Sequence, residues 1–156
     1  MTQRLQSYAV APDAYRAMRA LEDYVASTGL DHTLVELVKL RASYMNGCAY
    51  CVDMHTKDAR AAGEREQRLY AVPVWRETPF FTPRERAALA WTEAVTAIGV
   101  AGVPDDVYAE ARTHFDEAEL VRLTMAVVTI NGWNRLAIAF HADVGTYQPR
   151  AMAAAS

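Results

Sequence analysis

Apolar residues recur at three- and four-residue spacing along almost the whole chain, and no stretch alternates like a strand, so the pattern predicts an all-helical protein. Pro12 followed by AYRAMRALEDYVAS predicts a first helix, which Gly29 stops. Asp31 is placed to cap a second, HTLVELVKLRASYMN, which ends at Gly47. Cys48 opens a third, CAYCVDMHTKDARAA, ending at Gly63. A short helix, EREQRLYA, and an irregular proline-containing link, VPVWRETPFF, follow. Thr82, Pro83 and Glu85 form a strong start signal for RERAALAWTEAVTAI, because threonine and glutamate three apart can exchange caps. Pro104 begins a helix ending near His114, and Asp116 caps the longest, EAELVRLTMAVVTINGWNRLAIAFH. The expected architecture is a bundle of six or seven helices.

The last helix changes the picture. It carries Glu117, Glu119, Arg122 and Arg135, yet no charge lies between Leu123 and Asn134. A helix that is apolar all round must be surrounded. One small subunit offers few partners for it, so a homo-oligomer is expected, with part of this helix or its neighbours at a subunit interface.

With 156 residues, 52% hydrophobic and 22% charged, the chain has the make-up of one folded domain. No linker, low-complexity segment or repeat divides it. Its net charge is −3, with basic residues scattered among acids, which argues against nucleic acid as a partner. No apolar run reaches the roughly 20 residues that cross a bilayer, so no membrane partner is expected. The segment MTQRLQSYAVAPDAY lacks the apolar centre of a signal peptide. The expected location is a reducing cytoplasm.

Only two cysteines are present, three positions apart, too close to staple distant parts of a fold. Cys48, Cys51 and His55 stand at i, i+3 and i+7, one stripe along a helix. Cys48 sits at the helix start, where free backbone N–H groups favour a thiolate. His55 is one turn from Cys51 and suited to take its proton, directly or through water. Redox catalysis by this trio needs no metal and no organic cofactor. Two alternatives remain open on spacing alone. Zinc would need a fourth ligand from Glu36, His32, His114 or His141. Inert packing of two small cysteines, with His55 a satisfied core residue, is the other. Glu36, taken alone, reads as a solvated glutamate paired with Lys39 at i,i+3. Trp75, Trp91, Trp133, Tyr70 and Phe80 read as core more readily than as the lining of a substrate passage. His141 reads as a partner of a helix C-terminus, and Glu93 as a buried acid whose partner is unnamed.

The spacing Glu36-x11-Cys48-x-x-Cys51-x-x-x-His55, with the text MNGCAYCVDMHTKDAR, resembles the signature of the alkylhydroperoxidase D (AhpD)-like proteins of the carboxymuconolactone decarboxylase-like superfamily. The resemblance continues through LYAVPVWRETPFFTPRERAALAWTEAVT and INGWNRLAIAFH, covering about residues 10–142 of a single domain spanning 1–156. It implies an all-α fold assembled as a homotrimer or homohexamer, and a peroxidase cycle. By position, Cys51 matches the thiol that attacks the hydroperoxide, and Cys48 the thiol that resolves it as a redox-active disulfide. His55 matches the histidine of a proton relay and Glu36 its acid, which reverses the solvated reading of Glu36. The implied electron donor is a dithiol, dihydrolipoamide- or thioredoxin-like. The residue before Cys51 is histidine in the best-characterised type of the family and is Tyr50 here, a poor base near neutrality. A decarboxylase of the superfamily lacks the cysteine pair, so lactone decarboxylation is not expected. General disulfide reduction, and a non-catalytic oligomer with a redox switch, are the competing functions.

Overall fold

The computed structural model describes residues 2–149; residue 1 and residues 150–156, the ends of the domain expected over 1–156, lie outside the described residues. Among the described residues, eight α-helices follow one another: α1 Ser7–Val10, α2 Pro12–Ser27, α3 His32–Asn46, α4 Ala49–Ala61, α5 Glu66–Ala71, α6 Pro83–Thr96, α7 Asp105–His114 and α8 Glu117–Phe140. A 3-10 helix, Val72–Glu77, occupies part of the irregular link. The described residues contain no strand.

The boundary signals act as their chemistry requires. The Asp31 side chain accepts from the Leu34 N–H, and complete capping boxes stand at Thr82/Glu85 and Asp116/Glu119. One helix exceeds the expected count. α1 is a single turn with no side-chain cap and no buried residue, separated from α2 by Ala11, which Pro12 keeps out of the helical region (φ −134°, ψ 67°). So short a turn leaves no periodic trace in the sequence.

α3 is the hub, packing against α4, α6 and α8. Nine of its residues are buried, from Leu34 to Ser43, on every face. Leu34 and Val38 meet Ala88, Trp91, Phe115, Leu123 and Val127 on one side. Leu37 and Leu40 meet Leu69, Val72, Trp75 and Leu89 on another. Ala42 meets Cys48, Cys51 and Ile130 on a third. Burying a leucine- or valine-sized side chain is worth about 1.5–3 kcal/mol, so this central helix organises the fold. It also carries Glu36 and Lys39 into the interior, where each charge needs a partner.

The charge-free middle of α8 is buried at Leu123, Ala126, Val127, Thr129 and Ile130. Its other face leaves Val121 (62%), Val128 (47%) and Ile138 (41%) exposed in the single chain. No helix among the described residues is long and apolar enough to cross a membrane.

Candidate functional site

The site forms at the junction of α3 and α4. Gly47 takes a left-handed conformation (φ 69°), and the N–H of Gly47 returns to the carbonyls of Ser43 and Tyr44. The Cys48 N–H bonds the Ser43 carbonyl at 2.9 Å, which fixes the cysteine directly against the end of α3. A residue other than glycine pays a steric penalty at such a φ, so the tight turn that delivers Cys48 depends on Gly47.

Cys48 is the N-cap of α4 and not its first turn. Its sulfur accepts the Cys51 backbone N–H at 3.4 Å. Both cysteines are free thiols, each 1% exposed, beneath Tyr50, Trp133 and Ala137. The hydrogen bond from the Cys51 thiol lowers the Cys48 pKa to about 7 against the push of burial, with help from the Cys51 and Tyr50 backbone and the Asn134 amide. Cys51 is raised, first by donating to Cys48 and then by burial and the neighbouring negative charge. Two close thiols share one easily lost proton, and the helix-end sulfur keeps the charge. Tyr50, half-buried, is raised by burial and by the charges of Cys51, Asp53, Asp58 and Cys48. It is a neutral phenol near pH 7 and supplies no base in place of the family's histidine.

One turn further, His55 Nδ1 lies 2.9 Å from Glu36 Oε2, and both side chains are buried. Burial pushes the Glu36 carboxyl up, but the hydrogen bond and charge of His55, with Lys39 and His32, outweigh it and hold its pKa below the ordinary value. An ionised carboxylate only accepts, so Nδ1 carries the proton of this bond and Nε2 is the basic nitrogen. His55 Nε2 is buried and has no hydrogen-bond partner among the described residues.

Glu36 is therefore not solvated. Lys39 Nζ does stand 3.9 Å from Glu36 Oε1, as the i,i+3 spacing suggested, but Lys39 is itself buried and bonds Glu22 of α2. Zinc held by the cysteines is not supported. Among the described residues, the group of three with ligand-type atoms within 4.8 Å of one another is Glu36, His55 and Asp58, without either cysteine. Within it, Glu36 and His55 are joined by a hydrogen bond and Asp58 accepts the Tyr147 hydroxyl at 2.6 Å. The remaining candidates divide. His32 borders a cleft of about 190 Å³ with Glu36, Asp58 and Tyr147. His114 pairs with Glu110 at 3.3 Å, and His141 caps the C-terminus of α8 in a left-handed conformation (φ 52°).

Most of the aromatics are structural. Trp75 donates to Glu93 at 2.6 Å and Trp91 to Thr124 at 3.0 Å, while Tyr70 is 67% exposed. Glu93 finds its partners in Arg41, Arg76 and Trp75. Trp133 alone of the tryptophans packs on the cysteine cluster. The pattern of the sequence did not reveal a polar group behind the thiols. Asn134 Nδ2 donates to Ser43 at 3.1 Å, and Asn46 donates to Asn131 at 2.9 Å and to Asn134 at 2.8 Å. Its one sequence signal was the pair of asparagines, Asn131 and Asn134, inside the otherwise apolar part of α8. The contact between Asp58 and Tyr147 gave none, since the two are distant in sequence and meet only through the fold.

Known proteins resemble most of the chain. An uncharacterized protein of Bacillus subtilis is 45% identical over 139 residues, 89% of this chain and 95% of that one. A crystal structure of a protein of unknown function from Agrobacterium tumefaciens, provisionally assigned to AhpD antioxidant defence, is 45% identical and superposes with a TM-score of 0.91 over 94% of this chain and 100% of its own. A debrominase shares the fold alone, at 19% identity and a TM-score of 0.78 over 88% of this chain and 74% of its own. The all-helical AhpD-like fold is thus matched nearly end to end. The sequence profile of the carboxymuconolactone decarboxylase family matches residues 12–94, a span that includes Glu36, Cys48, Cys51 and His55, and the chain belongs to that family.

Proposed function

We propose that the protein is a thiol-dependent hydroperoxide reductase in which Cys48 and Cys51 cycle between dithiol and disulfide, with His55 and Glu36 moving the proton. The observation that carries this reading is the buried Glu36–His55 pair, in which His55, with one imidazole nitrogen uncommitted, lies on the helix whose start holds two free thiols. The Cys51 proton passes to His55 Nε2. The Cys51 sulfur attacks the terminal peroxide oxygen, the O–O bond breaks, and the departing alkoxide takes the proton from His55 as alcohol. Cys51 is then a sulfenic acid, oxidised by two electrons. The Cys48 thiolate attacks that sulfur, the S–S bond forms, and hydroxide leaves to become water on protonation. A dithiol such as dihydrolipoamide or a thioredoxin-like protein returns the two electrons. A thiolate favoured at Cys48 suits this order, since it is both the form that resolves and the better leaving group when a donor attacks Cys51.

One equivalent of hydroperoxide is expected to remove both thiols of the folded protein and lower the monomer mass by two hydrogens. Survival of both thiols under those conditions sinks the redox reading. A general disulfide reductase is the second reading, favoured by the low Cys48 pKa; it predicts fast reduction of model disulfides by the dithiol form and slow reaction with hydroperoxides.

A cysteine pair that must be reduced again in each cycle suits a reducing compartment, and we propose the cytoplasm. The apolar residues left open on α8 support association of the proposed 1–156 domain, and the family resemblance makes a homotrimer or homohexamer the expected form. Light scattering at micromolar concentration is expected to give one of those masses; a clean monomer removes the interface assigned to α8.

A further inference from the structure

A buried lysine stands behind the imidazole pair. Lys39 is 6% exposed, and its ammonium lies between two carboxylates, Glu22 from α2 and Glu36 from α3. Glu22 is shared again: its second oxygen accepts the Trp133 indole N–H at 3.3 Å, and Trp133 packs on the cysteine cluster. The result is a chain of contacts from α8 through Glu22, Lys39 and Glu36 to His55. A lysine is almost never buried without a reason, because ordering and desolvating it cost more than a surface position would. An ion pair meant only to join α2 to α3 needs one acid and one base. Here the lysine also reaches the acid that holds the imidazole.

We propose that Lys39 is a positioning residue for the acid–imidazole pair, fixing the Glu36 carboxylate against His55, and that Glu22 supplies the charge that balances it. The proposal rests on the relay reading given above, which makes the state of Glu36 matter for the reaction. The charged and titratable groups facing Glu36 are His32 and Lys39 from α3, His55 and Asp58 from α4, Glu64 from the turn after α4, which is paired with Arg68, and Tyr147 from the C-terminal segment. Lys39 is the fixed cation among them. Burial alone drives Glu36 toward its neutral form, and Lys39 is one of the groups opposing it. Glu36 without Lys39 therefore titrates at higher pH. Once protonated, it no longer offers His55 Nδ1 an ionised acceptor, and the imidazole loses basicity at Nε2.

The test follows the Glu36 carboxyl by ¹³C NMR in the reduced, glutamate-labelled protein without peroxide, assigned against Glu36→Gln. The double variant Glu22→Gln/Lys39→Met removes both balancing charges and keeps an acceptor for Trp133. In it, Glu36 is expected to titrate at least about one pH unit higher than in the unaltered protein. In Glu22→Gln alone and in Lys39→Arg, a cation remains and the titration is expected to stay low. Lys39→Gln gives the same reading as the double variant should the latter not fold. An unchanged Glu36 titration in the double variant or in Lys39→Gln overturns the proposal. The peroxide reaction is read separately. Its acid limb is expected to follow Glu36 upward, with the rate on that limb falling about tenfold for each pH unit the carboxyl moves, and to recover at high pH. A shifted carboxyl in a protein inert to peroxide would leave the Lys39 assignment standing and sink the peroxidase reading instead.

Discussion

Treated with one equivalent of hydroperoxide, the Cys48→Ser protein is expected to accept a dimedone-type label on Cys51, and the Cys51→Ser protein to accept none on Cys48. The first variant keeps the sulfur on the His55 side of α4 and removes the thiol that would condense with it, so the sulfenic acid has no exit. The second removes the sulfur assigned to the attack, so the expected loss of peroxide consumption is essentially complete. Two forces pull in opposite directions here. Cys48 caps the helix, accepts the Cys51 N–H and has its pKa lowered to about 7, all of which favour it as the standing thiolate. A thiolate is not sufficient, however: the departing alkoxide needs a proton delivered at the reacting oxygen. The proton carrier proposed above is His55, one turn along α4 from Cys51 and two from Cys48. If the label appears on Cys48 in the Cys51→Ser protein and is absent from the reciprocal variant, the helix-end charge dominates and the two roles exchange, with the disulfide chemistry intact.

Nearly all of the helices and both thiols could be read from the sequence because the signals were local. Capping residues, prolines at helix starts and Gly47 act within four residues of where they stand. The stripe Cys48, Cys51, His55 follows from helical spacing alone. Glu36 was different. Its immediate neighbours in sequence pointed to a surface pair with Lys39, and only the family pattern argued otherwise. The fold shows why the local reading fails: α3 is enclosed by α4, α6 and α8, so a spacing that means solvent on a peripheral helix means the interior here. Glu22, Tyr147 and Trp133 come to the site from other elements, and no periodicity within one helix encodes such meetings. Glu93 makes the same point in reverse. The structure leaves it partly buried, and its partners Arg41, Arg76 and Trp75 were not legible, because they lie on other segments of the chain.

Replacing His55 by alanine is expected to slow the peroxide step by about 10²–10⁴-fold, the usual scale for losing a positioned acid or base. Two consequences of the geometry set the direction of the accompanying changes. First, Cys51 is raised above the ordinary thiol range by its donation to Cys48, by burial and by the adjacent charge, so it depends on a base to react near neutrality. The deficit of the His55→Ala protein is therefore expected to shrink as pH rises, when hydroxide removes the proton unaided. Second, the variant leaves the Glu36 carboxylate buried without its hydrogen-bond donor. Glu36 owes part of its lowered pKa to that donor, so its carboxyl is expected to shift upward in the variant. A carboxyl lowered in the folded state stabilises the fold above its unfolded pKa and gives that stability up as pH falls through the folded value. Losing His55 removes part of this contribution, so the variant is expected to be less stable than the parent at neutral pH, with the gap narrowing in acid as Glu36 is protonated in both. Glu36→Gln is the complementary change. It keeps an acceptor for Nδ1 but not the charge, so its rate loss is expected to be smaller than that of His55→Ala at every pH. Stopped-flow thiol oxidation and thermal melts across the same pH series check all of these points. A His55→Ala protein that oxidises as fast as the parent at neutral pH would remove the imidazole from the mechanism, leaving the Glu36–His55 pair with a structural role alone.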